Sequence, residues 1–461
     1  MDLKKISVLI DGYNLELPYE TGIKTYGMTL IKTLKLLGAE VNVLFSRGIR
    51  TKKRLLKEVL FFDIKNDKKN YFNIISTIKT TLKAILFPLK AEIIENNNIV
   101  VKRLDGFNFF DNIGIITLKD CYRSANILFK TLGFSTNISI PHKIDVWHAT
   151  YPLPIKIKKA KKITTIHDLI PLRLPYTTSD DKKRFFKILE SSIKDSSIIL
   201  CPSENTKNDI LNIYNCNPEK IFVTYQPTEL KPLDIDRDMI SAYLKKFSLK
   251  INNYILFVGT IEPKKNIKRL IDAYLMLDTH MPLVIAGKRG WLWRNEIPQS
   301  LLPNYTTYRD ISKKTQLLDN ILDNIFQSLR RNRVEKLPLR SSENIRFLEH
   351  ISNEDLRYLY AGAFCLVFPS LYEGFGLPPL EAMTFGCPVI TSRVSSLPEI
   401  CGDAAYYIDP YDVCDIKQKI EDLLNSPQTR RKLSEVGKQR VHLFSIENYA
   451  KKLYEAYCRI L

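Results

Sequence analysis

No two of the eight cysteines form a CxxC pair; they stand singly at 121, 201, 216, 365, 387, 401, 414 and 458. That leaves neither a zinc-finger spacing nor a disulfide framework, and the scatter is that of a reducing compartment. Cys201, Cys365 and Cys387 lie in or beside apolar runs and read as small core residues. No apolar run reaches the length of a membrane span. The N-terminal run Ile6–Ile10 is far too short for a signal peptide. The expectation is a cytoplasmic protein, at most peripheral at the inner face of the cell membrane. A GxGxxG dinucleotide fingerprint is missing, as is any RNA-binding signature.

Acidic residues are also short. Against 69 Lys and Arg there are 50 Asp and Glu, a formal charge of +19. Such an excess implies an anionic partner: nucleic acid, an acidic membrane surface or a phosphorylated substrate. With no nucleic-acid motif, the first is the weakest of the three. At 461 residues the chain is too long for one core, so two or three domains are expected. The 45% apolar and 26% charged content is that of an ordinary globular enzyme.

The chain opens with a strand, Ile6–Ile10, closed by Asp11-Gly12. A helical pattern through Leu30, Ile31, Leu34 and Leu37 follows Gly22, and Gly38 caps it. Val41–Phe45 is the next strand, completing a βαβ unit with a glycine before its helix. Residues 46 to 133 are basic and irregular. Within them Ile78–Lys90 mixes basic and apolar residues at helical spacing and ends near Pro88. It reads either as a solvated helix with a core-facing stripe or as a segment that binds anionic lipid. From Ile144 parallel strands return. Ile163-Thr-Thr-Ile-His167-Asp168 puts a His-Asp pair at a strand end, where ligands bind in open α/β sheets; a satisfied core histidine is the other reading. Ser203 suits a helix N-cap after the strand Ser196–Cys201.

Residues 227 to 250 lack periodicity and read as a linker. A second βαβ series begins at Tyr254–Val258, whose turn Gly259-Thr260-Ile-Glu-Pro-Lys264-Lys265-Asn266 precedes the helix Ile267–Leu277. Backbone N–H groups, a helix dipole and lysines there suit a phosphate, although a solvated turn has the same composition. Residues 300 to 342 break the rhythm and look like an insertion around one amphipathic helix. The most informative stretch comes later, Phe364–Pro388. A buried strand leads through Glu373-Gly374-Phe375-Gly376-Leu377 into a helix begun by Pro378-Pro379 and holding Glu381. Two carboxylates thus flank a glycine turn at a helix N-terminus.

Five stretches resemble one family. Thr165–Pro171 (TIHDLIP), Tyr254–Asn266 (YILFVGTIEPKKN), Ala286–Trp291 (AGKRGW), Val367–Pro388 and Phe444–Tyr449 (FSIENY) are similar to the retaining glycosyltransferases of family 4, the group 1 glycosyltransferases. Glu373 to Glu381 looks like that family's E-x7-E motif. The resemblance covers residues 1–45, 144–295 and 344–461. It departs at Thr260, where the family often has arginine, and at Glu349-His350, where it commonly has glycine.

The resemblance implies an α/β GT-B fold, two Rossmann-like parallel-sheet domains facing across a cleft. Residues 1–228 would be the acceptor domain with a basic insertion at about 46–133, and 229–250 the linker. Residues 251–445 would be the donor domain with an insertion at about 300–342, and 446–461 a helix packing back toward the first domain. It implies that Glu381 holds the nucleotide ribose, and that Lys265 with the Gly22, Gly259 and Thr260 turns meets the diphosphate. Glu373 and the amides of Gly374, Phe375, Gly376 and Leu377 would face the donor sugar, and His167 the reacting carbon. No cofactor or metal is implied beyond a nucleotide-sugar co-substrate, GDP-mannose or another NDP-hexose. The implied partners are that donor, a glycan or polyprenyl-diphosphate-linked acceptor, and an anionic membrane surface. Mannosyl- or rhamnosyltransferases of bacterial surface polysaccharide synthesis fit best. A non-catalytic donor-binding subunit, or an epimerase or glucan phosphorylase of the same fold, is the alternative.

Overall fold

A computed structural model of the chain describes residues 2–17, 22–49, 51, 53–63, 74–95, 100, 113–228, 230, 232, 236–297, 344–349 and 351–461. The expected insertion at 300–342, its amphipathic helix and His350 lie outside the described residues. The chain divides into two compact units. The first comprises Met1–Glu229, Glu373–Leu377 and Val441–Leu461; the second comprises Leu230–Tyr372 and Pro378–Arg440.

Among the described residues the main sheet of the first unit has eight strands, β1 (Ser7–Asp11), β2 (Glu40–Phe45), β3 (Glu92–Ile94), β4 (Gly114–Thr117), β5 (Val146–Ala149), β6 (Lys161–Thr165), β7 (Ile198–Cys201) and β8 (Ile221–Val223), beside a small three-stranded sheet of Leu89–Lys90, Thr136–Ser139 and Ile155–Ile157. They lie in the order β8-β7-β6-β5-β1-β2-β4-β3. Pairing is parallel except between β3 and β4. From β1 the chain winds one way through β2 and the other through β5, so β1 and β5 mark the reversal point where a doubly wound sheet leaves its ligand crevice. The strands are apolar because both faces are covered. On one face lies the helix Gly22–Leu36, which buries Tyr26, Leu30, Ile31 and Leu34 on one stripe and ends before Gly38 at φ +83°. Glycine adopts that left-handed backbone without a Cβ penalty.

On the same face packs the last helix, Ile446–Cys458. Its Tyr449, Leu453, Ala456 and Tyr457 recur at helical spacing and join one core with Val8, Ile10, Leu30 and Leu34.

Among its described residues the second unit has six parallel strands: β9 (Ile255–Val258), β10 (Leu283–Ala286), β11 (Ile345–Leu348), β12 (Cys365–Phe368), β13 (Val389–Ser392) and β14 (Ala405–Ile408). Their order is β11-β10-β9-β12-β13-β14, with the reversal between β9 and β12. The stretch expected as linker carries a helix, Arg237–Leu244, started by the Asp236 carboxylate accepting from the Met239 amide at 2.7 Å. Its Tyr243 ring stacks on Tyr358 at 3.7 Å.

Among the described residues no helix is long and apolar enough to cross a membrane. The helix Ile74–Leu86 does form within the basic region, and it stops before Pro88. Its apolar stripe does not face a core: Ile78, Leu82, Ile85 and Leu86, with Phe87 beyond them, are exposed, and so are Lys79 and Lys83.

Candidate active site

At the β1/β5 reversal point, Asp11 ends β1 fully buried. Its carboxylate accepts the Tyr13 amide at 3.2 Å and the Thr150 amide just past β5, tying the two strand ends together. Burial raises its pKa to about 6, and the donated amide hydrogens pull the other way. The Thr150 carbonyl meets His167 Nε2 at 2.8 Å. A carbonyl only accepts, so Nε2 carries the hydrogen. Burial also holds the His167 pKa below its ordinary value, which favours the neutral ring with a lone pair on Nδ1.

The ring is fixed by its neighbours. Tyr26, from the helix that Gly22 begins, packs edge-on to His167 with centroids 4.8 Å apart. The Tyr26 hydroxyl shares a hydrogen bond of 2.8 Å with Thr165 Oγ1, which also meets His148 Nε2 at 2.9 Å. His148 Nδ1 continues to the Tyr457 hydroxyl at 2.8 Å. His148 is fully buried, and that burial, with His167 nearby, lowers its pKa to about 3.

The segment Glu373–Leu377 belongs to this same unit. The Gly374 carbonyl accepts from Ser203 Oγ at 2.7 Å, and Thr206 Oγ1 lies 3.3 Å from both that carbonyl and the His167 carbonyl. Ser203 is also the N-cap of the helix Glu204–Ile213, its oxygen accepting from the Thr206 amide at 3.1 Å. One hydroxyl therefore starts the helix and holds the glycine turn. Glu373 is 8% exposed and Phe375 is buried, its ring edge-on to Phe444 at 5.8 Å.

In the second unit the β9/β12 reversal point is a pair of interlocked turns. Lys264 contributes a backbone carbonyl that accepts from the Leu371 amide at 2.7 Å and from Ser370 Oγ at 3.0 Å. Asn266, in left-handed backbone at φ +58°, donates its side-chain amide to the Pro369 and Pro410 carbonyls at 3.0 and 2.7 Å. Lys265 is 8% exposed, with its ammonium 4.8 Å from the Phe368 ring centroid, a cation–π arrangement that holds the charge at the strand end. A β-carbon at Gly287 would stand 1.9 Å from the Gly259 carbonyl oxygen, so the turns after β9 and β10 touch backbone to backbone. One at Gly290 would stand 2.4 Å from Thr260 Cγ2. Glu349, at the end of β11, pairs with Arg289 at 2.6 Å. Glu381 lies on the helix Leu377–Thr384, where its carboxylate accepts from the buried Tyr360 hydroxyl at 2.9 Å. Burial and the Glu381 charge hold the Tyr360 hydroxyl protonated, as a donor.

The structure thus joins His167 to the 373–377 turn, the Lys264–Asn266 turn to the end of β12 and the loop after it, and Gly259 and Thr260 to the turn after β10. Gly22 stands at its helix start, exposed, and a β-carbon there would meet nothing within 4 Å. Sequence reasoning missed Asp11 and Tyr26, and it read Ser203 only as a cap. The one signal for Asp11 was a carboxylate closing an otherwise apolar strand. Among the described residues, no group of His, Cys, Asp and Glu could hold a metal ion.

The family description "Glycosyl transferases group 1" matches residues 244–440, and "Glycosyltransferase Family 4" matches residues 116–231. The chain is similar to the O-antigen chain mannosyltransferase B of Escherichia coli, 32% identical over 68% of this chain and 74% of that protein. It is 28% identical to the O-antigen chain mannosyltransferase RfbU of Salmonella typhimurium over 61% of this chain and 64% of the relative. Among solved structures, sucrose-phosphate synthase from Thermosynechococcus elongatus superposes with a TM-score of 0.62 at 14% identity, over 99% of each chain. That likeness is one of fold, two parallel-sheet domains of the GT-B type.

Proposed function

The chain belongs to the group 1 glycosyltransferases, and from that premise we propose that it moves mannose from GDP-mannose to a growing surface-polysaccharide glycan carried on a polyprenyl diphosphate, with retention of anomeric configuration. Family membership makes it a transferase that uses a nucleotide-sugar, and speaks against a phosphorylase or an epimerase. The choice of mannose leans on the two O-antigen mannosyltransferases it is similar to.

The observation that carries the catalytic part is the Ser203–Thr206 grip on Gly374 beside His167. It supports a role for the Glu373 to Leu377 turn and His167 at the donor sugar. In this reading Glu373 and the amides of Gly374, Phe375, Gly376 and Leu377 hold sugar hydroxyls. Neutral His167 accepts a hydroxyl hydrogen at Nδ1 near the reacting carbon. Glu381, oriented by Tyr360, binds the ribose. Lys265 neutralises the departing diphosphate with the help of the Gly259, Thr260 and Gly22 turns, doing the work of a divalent cation. The leaving phosphate takes the proton of the acceptor hydroxyl as the new bond forms.

The exposed face of Ile74–Leu86, apolar with interspersed lysines, supports the further reading that the protein sits on an anionic membrane surface. A thermal-shift screen with GDP-, UDP-, ADP- and dTDP-sugars tests the donor, because a ligand that binds only the folded state raises the melting temperature. GDP-mannose should give the largest shift; a larger shift with a UDP-sugar would replace it. NMR of the product's anomeric proton tests retention.

A further inference from the structure

Beside the Asp11–Gly12 turn the first unit holds a cavity of about 380 Å³ that none of the roles above uses. Arg123, Asn126, Ile127 and Lys130 line one wall. Their spacing of three, four and seven puts them on one stripe of the helix Cys121–Leu132, whose opposite stripe, including Cys121, Ala125 and Leu128, is buried. Arg184, from the helix Lys182–Asp195, closes another side.

None of these three cations is ion-paired among the described residues, and Arg184 Nε is buried with no hydrogen-bond partner. A guanidinium nitrogen left so costs free energy unless an acceptor arrives. The carboxylate that also lines the cavity, Glu16, is already engaged: it accepts the Ser46 amide at 3.0 Å and pairs with Arg47 at 3.4 Å.

The mouth is aromatic. Tyr13 is 38% exposed, lies edge-on to Tyr122 at 5.3 Å and stacks with Tyr151 at 6.5 Å. Tyr122 is itself pinned, accepting the Gly12 amide at 2.8 Å and donating to the Leu44 carbonyl at 2.5 Å. Tyr151 follows Thr150, whose carbonyl holds His167. Through its stack on Tyr151, Tyr13 thus links the cavity rim to the strip of chain that holds the candidate catalytic histidine.

We propose that this cavity binds the anionic group of the acceptor, a phosphate or diphosphate on a saccharide, with Arg123, Lys130 and Arg184 as counter-charges and Tyr13 as the platform for the adjoining sugar. The inference rests on the transferase reading. Bidentate guanidinium groups suit phosphate oxygens, and an amphipathic tyrosine face suits a pyranose ring.

The test uses the full chain, saturated with whichever nucleotide raises its melting temperature so that the donor's own phosphate site is filled. Farnesyl diphosphate and inorganic pyrophosphate are then titrated calorimetrically. The wild type should bind diphosphate, more weakly as salt is added. Arg184→Gln, and separately the pair Arg123→Gln with Lys130→Gln, should each lower affinity about tenfold or more, the worth of a charged hydrogen bond. The nucleotide-induced melting shift should stay unchanged in both. Tighter binding of farnesyl diphosphate than of pyrophosphate supports a lipid-linked acceptor, and equal binding supports a free sugar phosphate. Unchanged affinity in both variants, or binding indifferent to salt, overturns the site. Absence of any nucleotide shift in the wild type is the separate signature of a failed transferase reading.

Discussion

A β-carbon on Gly374 would stand 2.0 Å from the carbonyl oxygen of His167 and 3.0 Å from the Asp168 β-carbon. The two segments, more than two hundred residues apart in the chain, meet with no side chain between them. Gly374→Ala must push the turn away from the histidine. A displacement on the order of 1 Å at reacting groups costs roughly 100-fold in rate. The expected outcome is a fall in kcat of that order with the melting shift given by the bare nucleotide largely kept; near-normal kcat would show that the contact does not matter to transfer.

Lys265 and Glu373 are both 8% exposed, buried enough for their charges to act at short range. Lys265→Ala and Glu373→Gln should each reduce transfer by about 100-fold or more, the scale seen when one preorganised electrostatic partner of a transition state is removed. Initial-rate measurements at saturating donor read this directly. A loss confined to KM would demote either residue to donor binding.

Exposed Leu82 and Leu86, with Lys79 and Lys83 on the same helix, would make the proposed membrane binding both apolar and ionic. Sedimentation with phosphatidylglycerol vesicles should capture the protein at low salt and release much of it as screening shortens the reach of charge to about 10 Å at 0.1 M. The pair Leu82→Asp and Leu86→Asp should weaken capture at least about tenfold, given about 1.5–3 kcal/mol for each buried leucine. Capture that ignores both salt and substitution would refute this surface.

Asp11 and His148 respond to pH in opposite senses. Asp11 has a folded pKa of about 6 against an ordinary 3.8, so the folded chain holds the extra proton and this group's contribution to stability falls as pH rises through that interval. His148 has a folded pKa of about 3 against 6.5, so the unfolded chain holds the extra proton and stability falls as pH drops from 6.5 toward 3. Where the two intervals overlap, each acts with a slope of up to about 1.4 kcal/mol per pH unit and they offset. His148→Gln removes one side of the balance. Its melting temperature, taken relative to wild type, should rise as pH is lowered from about 6 to 4; a constant difference would contradict the buried, neutral histidine.

Local features were legible in the sequence because local chemistry makes them. Gly38 ends its helix at φ +83° as a C-terminal glycine should, and Ser203 caps the helix it precedes. The strand-turn-helix at Phe364–Pro388 formed for the same reason: an apolar run, two glycines and two prolines leave few other options. The grip of Ser203 and Thr206 on Gly374 spans 171 and 168 residues, and no local pattern encodes a partner that far away. Tyr26 was hidden by its place on an ordinary apolar stripe, where a ring that fills a core and a ring that orients a histidine look alike. The helix Arg237–Leu244 was missed because it has two turns only, and it gains its footing from Tyr358 rather than from its own periodicity. The exposed stripe of Ile74–Leu86 shows the converse limit: periodicity reveals an apolar face but not what covers it.

The hydrogen bond from His148 to Tyr457 joins residues 309 apart, and the second unit lies between them in the chain. During synthesis the first unit therefore leaves the ribosome without the tyrosine and leucine plugs that finish its core. It must wait, partly open, while more than two hundred further residues are made. Emergence of the helix Ile446–Cys458, rather than of the first unit's own strands, is what closes the ground beneath His167. The buried histidine relay beneath the candidate site therefore gains its last partner only after the second unit has been made.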